Sequence, residues 1–159
     1  MKTATVGAVA AILWMVGVGG VAMAETVQRP NLVGCEVLGR GLAFTVNYER
    51  SFTNHFGAGG GIMAIGASGG GITLIPLYAS YAPGHVHSVY LSAGATFVGG
   101  GGSIEDYYST WLINGSVGYQ FKSPSGFFVR PLFTILVPSV KHSGDDYLLW
   151  PGVTIGGTF

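Results

Sequence analysis

Between Arg50 and Glu105 the chain carries no Lys, Arg, Asp or Glu, yet this long uncharged stretch is broken by Gly57, Gly59, Gly60, Gly61, Gly66, Gly69, Gly70 and Gly71 and by Pro76 and Pro83. Hydropathy alone would offer two membrane-crossing helices. The glycines and prolines, and the absence of the leucine-rich filling typical of such helices, argue against them. The residues alternate instead. From Leu42 to Glu49 the apolar Leu42, Phe44, Val46 and Tyr48 take every second place, with Ala43, Thr45, Asn47 and Glu49 between. From Tyr107 to Lys122, Tyr107, Trp111, Ile113, Val117, Tyr119 and Phe121 share one parity, and Thr110, Asn114, Ser116, Gln120 and Lys122 share the other. Period two gives an extended strand one oily face and one polar face, which suits lipid outside and a polar interior inside.

In hydrocarbon every backbone N–H and C=O needs a protein partner, so strands cross a bilayer only as a sheet closed on itself. Eight candidate strands are read: Asn31 to Leu38, Leu42 to Phe52, Phe56 to Gly66, Gly71 to Ala82, Val86 to Gly99, Tyr107 to Lys122, Gly126 to Val137 and Leu148 to Phe159. Turn formers lie between them: Gly39-Arg40-Gly41, Thr53-Asn54-His55, Pro83-Gly84-His85, Ser123-Pro124-Ser125, and the longer Gly100 to Asp106 and Pro138 to Tyr147. The expected fold is all-β, a closed antiparallel eight-stranded transmembrane up-and-down barrel. An even strand count with short turns at one end and longer loops at the other is the pattern of bacterial single-chain barrels. Pro76 and Pro131 fall inside proposed strands, where each removes a ladder hydrogen bond, and predict bulges or local breaks.

The N-terminus supplies a route out of the cytoplasm. Lys2, an apolar run from Ala4 to Val21, and Ala22-Met23-Ala24 before Glu25 have the order of a signal peptide cleaved after Ala24. Residues 1–24 are therefore expected to be removed, leaving 25–159 as the barrel. The competing reading is a retained helix in an inner-membrane protein, which an intact N-terminal mass would reveal. Leu32-Val33-Gly34-Cys35 looks like a lipoprotein acylation box, but the polar stretch from Glu25 to Asn31 separates it from the apolar run, so the match is read as coincidence.

Composition removes several functions. Of 159 residues, 9% are charged and 48% hydrophobic, far from an ordinary soluble domain. The formal net charge is zero and no Lys/Arg cluster exists to neutralise phosphates, so nucleic acid is not an expected partner. Cys35 is the single cysteine, and no Cys/His array has zinc-site spacing; His85 and His87, with His55 on a neighbouring turn, lack acidic or thiolate companions, so neither metal nor other cofactor is expected. Gly99 to Gly102 lacks the Lys and helix of a phosphate loop.

Inward parity places Glu36, Asn47, Glu49, Asn114, Gln120 and Arg130 inside. Buried charges persist when paired, so Glu49 and Arg130 are expected in one interior network that acts as a structural plug rather than a catalytic or proton-relaying group. Tyr48, Phe52, Tyr119, Phe121, Phe127 and Phe159, with Phe56, gather at one membrane interface as an aromatic girdle. The closing strand carries Val153, Ile155 and Phe159 on its outward parity, the pattern of a barrel-insertion signal. The expected partners are thus outer-membrane lipids and the barrel-insertion machinery.

Asn47-Tyr48-Glu49-Arg50-Ser51-Phe52, Pro131-Leu132-Phe133 and Trp150-Pro151-Gly152 resemble segments of a group of small bacterial outer-membrane β-barrel proteins with OmpX/OmpA-barrel-like architecture, a group to which no activity is assigned. The resemblance covers most of the mature chain. It implies an integral barrel in the outer membrane of a Gram-negative bacterium, and nothing about activity. Two functions follow as expectations. The first is a non-enzymatic barrel with a structural or loop-presenting role. The alternative is a lipid-modifying hydrolase, similar to lipid A deacylases, using His142 and Ser143 in the loop before Tyr147; it predicts altered lipid acylation that Ser143→Ala abolishes. Adjacent positions on a strand point to opposite faces, which counts against that pair.

Overall fold

A computed structural model describes residues 29–67, 70–101, 108–139 and 147–159. The strands are β1 (Asn31–Leu38), β2 (Phe44–Ser51), β3 (Phe56–Ala67), β4 (Gly70–Tyr81), β5 (His87–Gly101), β6 (Tyr108–Lys122), β7 (Phe127–Pro138) and β8 (Leu148–Thr158). Each pairs antiparallel with the next, and β8 pairs with β1, so the sheet closes. The signal peptide and the pair His142–Ser143 lie outside the described residues.

The pairing fixes the barrel's dimensions. Leu32 lies opposite Glu49, then in turn Gly59, Tyr78, Gly94, Asn114, Leu136 and Leu148, and the β8–β1 register puts Leu148 level with position 42, a stagger of ten residues around the sheet. With a rise of about 3.3 Å per residue and strands about 4.8 Å apart, that stagger tilts the strands by about 40°. Each residue then advances about 2.5 Å along the axis, so the 12-residue β3, β4 and β7 span about 30 Å, matching a hydrocarbon layer. The 8-residue β1 and β2 span about 20 Å and fall short of it.

The outer face is apolar along every strand: Val33 and Val37, Phe44 and Val46, Ile62, Leu77, Val89 and Leu91, Ile113 and Val117, Phe133 and Ile135, and Val153 and Ile155 are all exposed. So continuous a belt would be an aggregation surface in water and is the wall of a protein in lipid. Aromatics ring the end where β1 begins and β8 ends, here the terminal end: Tyr48, Phe52, Phe56, Tyr119, Phe127 and Phe159 are exposed, and Phe121 is half-buried against His87. At the far end Phe97 packs edge-on against Trp111, their ring centres 5.3 Å apart.

One boundary differs from the sequence reading, and of the bulges or local breaks expected at the two prolines the structure shows breaks. Alternation carries β2 back to Leu42, but the strand begins at Phe44: Leu42 turns inward at φ 63° and packs against a lumenal cluster of Met63, Leu74 and Val98. Pro76 and Pro131 interrupt pairing without a bulge. The β3–β4 pairs on either side of Pro76, Gly60–Leu77 and Met63–Leu74, keep one register, as do Gly118–Leu132 and Phe121–Val129 on either side of Pro131. A missing N–H removes a rung; an extra residue would be needed to shift the strand.

Candidate functional site

Among the described residues charge concentrates in the lumen, and most of its content follows from parity. Even positions on β1 and β4–β8 and odd positions on β2 and β3 point inward, which buries Glu36, Asn47, Glu49, Asn114, Gln120 and Arg130 together. The hairpin tip Gly39-Arg40-Gly41 adds a residue that no parity argument places: it forms a 3-10 turn folded into the barrel, and Arg40 is fully buried. Two geometries let it enter. Gly39 takes φ 69°, and Gly152 on β8 leaves room, since a Cβ there would sit 2.7 Å from the Gly39 Cα. The Trp150 indole N–H donates to the Leu42 carbonyl at 3.0 Å and holds the tip from the β8 side.

Arg40 and Arg130 each meet a carboxylate. The Arg40 guanidinium pairs with Glu36, its backbone N–H donates to Glu36 Oε1 at 2.7 Å, and Thr154 Oγ1 donates to Glu36 Oε2 at 3.0 Å. Arg130 Nη1 donates to Glu49 Oε2 at 2.8 Å and its Nε to Gln120 Oε1 at 2.9 Å, while Ser80 Oγ donates to Glu49 Oε1 at 2.9 Å. Tyrosines separate the two cations. Arg40 lies 3.7 Å over the Tyr78 ring and Arg130 lies 3.8 Å over Tyr90, distances at which a ring face attracts a cation. The Tyr90 hydroxyl accepts from Arg40 Nη1 at 3.2 Å and donates to Glu49 Oε2 at 3.3 Å, which joins both ion pairs into one network. Asn47 reaches Glu36 at 3.4 Å, and Asn114 donates to Thr96, which in turn donates to the Arg40 carbonyl. All six inward residues therefore share a single connected lattice.

Within the hydrogen-bonded network the charges balance, two carboxylates against two guanidiniums, as a low-dielectric interior requires, and Lys122 stands half-buried on the same parity at the end of β6. Apolar side chains cap the network at both ends: Leu32 and Phe128 toward the termini, and Met63, Leu74 and Val98 toward the far end. Inward glycines make the space, since a Cβ on Gly59 would lie 2.7 Å from the Tyr78 hydroxyl and one on Gly61 would collide with Asn47. What the arrangement can do chemically is resist: both carboxylates are paired with guanidiniums, and buried side chains fill the middle of the barrel. Thr45 Oγ1, Asn47 Oδ1, Ser92 Oγ, Asn114 Oδ1 and Gln120 Nε2 are buried without a hydrogen-bond partner.

Other sequence candidates fall apart spatially. His87 contacts the Tyr119 hydroxyl on the exterior, the His55 ring lies tilted 6.3 Å from that of Tyr81, and no group of three metal-binding side chains exists among the described residues. Val153, Ile155 and Phe159 all face outward on or beside β8.

No family model matches the chain, and no curated protein matches it by sequence. The fold is similar to the N-terminal β-barrel domain of OprF from Pseudomonas aeruginosa, with a TM-score of 0.55 and 13% identity over 79% of this chain and 94% of that one. Ail, the attachment invasion locus protein of Yersinia pestis, overlays with a TM-score of 0.46 and 17% identity over 81% of this chain and 94% of that chain. The OprF likeness is one of fold: a closed barrel of eight strands.

Proposed function

We propose that the chain is an integral barrel of the bacterial outer membrane, without enzymatic activity, whose role is structural or is exercised through the loops at its far end. The observation that carries this reading is the filled lumen, its two carboxylates paired with two guanidiniums, inside an apolar wall. A conducting pore needs a continuous hydrated path, and an eight-stranded lumen is only wide enough to be packed by side chains. A catalytic carboxylate needs access to substrate, whereas Glu36 and Glu49 are sealed between caps and held by Arg40 and Arg130. With the signal peptide removed after Ala24 the chain would reach the envelope, where insertion machinery would read the closing strand ending at Phe159. The wall then sits among outer-membrane lipids.

The test is conductance in a planar bilayer containing the purified full mature barrel. A silent or sub-picosiemens membrane supports a plugged structural barrel. Stable unitary steps typical of a water-filled pore would refute it.

A further inference from the structure

The outer wall over β1 to β4 is not evenly convex. Tyr48, Gly60 and Leu77 face outward in one row across β2, β3 and β4, since Tyr48 pairs with Gly60 and Gly60 with Leu77. The middle of that row has no side chain. Val46, Tyr48, Ile62 and Leu77 rise around it, and Val33 borders it on β1, leaving an apolar trough of about 370 Å³ floored by the backbone of Gly60 and Gly61. Pro76 lies behind this floor, at the place where the β3–β4 ladder is interrupted.

The trough does not end blindly toward the chain termini. The next outward row there is Arg50, Ala58 and Ala79, again low in its middle, and Arg50 is exposed. Both ion pairs among the described residues lie in the lumen, so Arg50 finds no carboxylate among them. Beside it on β1 stands Asn31, whose Oδ1 accepts a hydrogen bond from the Tyr48 hydroxyl at 2.7 Å. Besides the four charges of the lumenal network, the described charged side chains are Arg29, Arg50 and Lys122, all cations near that end, with Arg50 on the outward face and Lys122 half-buried on the inward parity of β6. Two residues along a strand measure about 6.6 Å, within the reach of an arginine. A cation at the aromatic girdle with an apolar trough running from it toward mid-membrane has the polarity and direction of one lipid molecule.

We propose that this trough is a binding site for a single glycerophospholipid with an anionic headgroup, its phosphate on the Arg50 guanidinium and one acyl chain laid over Gly60. The site rests on the reading of the barrel as a membrane protein. A second copy of the chain is the less suitable occupant, because a two-fold contact centred on the trough would bring one Arg50 toward another.

Native mass spectrometry of the folded barrel in detergent, offered equal dioleoylphosphatidylglycerol and dioleoylphosphatidylcholine, tests the site. The wild-type protein should retain one phosphatidylglycerol preferentially. Arg50→Gln should reduce that retained fraction at least fivefold, Arg50→Lys should restore most of it, and Gly60→Leu, which fills the trough, should remove it while the band still shifts on boiling. Equal retention of the two lipids by the wild type, or undiminished retention in Arg50→Gln, would mean unselective annular lipid and overturn the proposal. A dimer that Gly60→Leu dissolves would make the trough a protein interface and overturn it too. If Gly60→Leu fails to fold, Arg50→Gln, an exterior change at the rim, decides alone. A wild-type band that does not shift on boiling would instead defeat the membrane-barrel reading itself.

Discussion

Truncating Arg130 removes one half of a buried ion pair and is the sharpest perturbation of the lumen. The side chain is 1% exposed and supplies the Glu49 contact at 2.8 Å, the Gln120 contact at 2.9 Å and the stacking on Tyr90. In Arg130→Ala, Glu49 stays buried with only the Ser80 and Tyr90 hydroxyls to solvate it, and Gln120 Oε1 loses its donor. Breaking one partner of a buried pair costs about 3–5 kcal/mol, because a charge is left uncompensated in a low-dielectric site. Glu49→Gln should cost less, since the amide still hydrogen-bonds and leaves a better-solvated cation stacked on a ring. The double variant Glu49→Gln/Arg130→Ala should be milder than the two single losses added, by about 1–3 kcal/mol of coupling. Reversible urea unfolding in lipid vesicles, followed by tryptophan fluorescence and gel mobility, measures all four corners. A loss below about 1 kcal/mol for Arg130→Ala, or strict additivity in the cycle, would show that the pair does not hold the lumen together.

Three further outcomes follow from particular positions. Leu38 sits at φ 62°, ψ −147°, a region that suits glycine, so Leu38→Gly should raise the urea midpoint by about 1 kcal/mol equivalent; a lowered midpoint would mean that its side chain matters more than its backbone. Gly152→Ala places a Cβ against the Gly39 backbone and should cost about 1–3 kcal/mol by pushing the Arg40 tip out of the lumen, with no loss refuting that tight approach. Cys35 faces outward on β1 and is exposed, so in vesicles it should react with a membrane-soluble maleimide and resist a charged one, whereas equal rates would place it in water.

Strands and faces were legible because period two is a direct image of the pleat: the alternation over Phe44–Tyr48 and Trp111–Phe121 becomes wall against lumen without rearrangement. The inward residues followed from the same parity. What parity cannot register is a chain that leaves the wall and re-enters the lumen. Gly39-Arg40-Gly41 has the composition of an ordinary turn, and Leu42 continues the alternation in sequence although its side chain points into the core. Charge balance gave no clue either, since Glu36 and Glu49 already share the inward parity with Arg130 and Lys122, while the cation that pairs with Glu36 is Arg40. The glycines of β3 were legible as space for lumenal side chains at Gly59 and Gly61; the exterior trough at Gly60 depends on which neighbours its register brings together, and pairing across strands is not written in any single segment.

The central claim is a closed, lumen-packed β-barrel in a membrane, and gel mobility of the detergent-extracted protein, unheated against boiled, tests it most directly when read beside its circular dichroism. A compact fast band that slows on boiling, with a β spectrum, is the predicted result, because a closed sheet with no free edge resists detergent unfolding until heated. A single mobility with a helical spectrum would contradict the strand order, the lumenal network and the lipid site together.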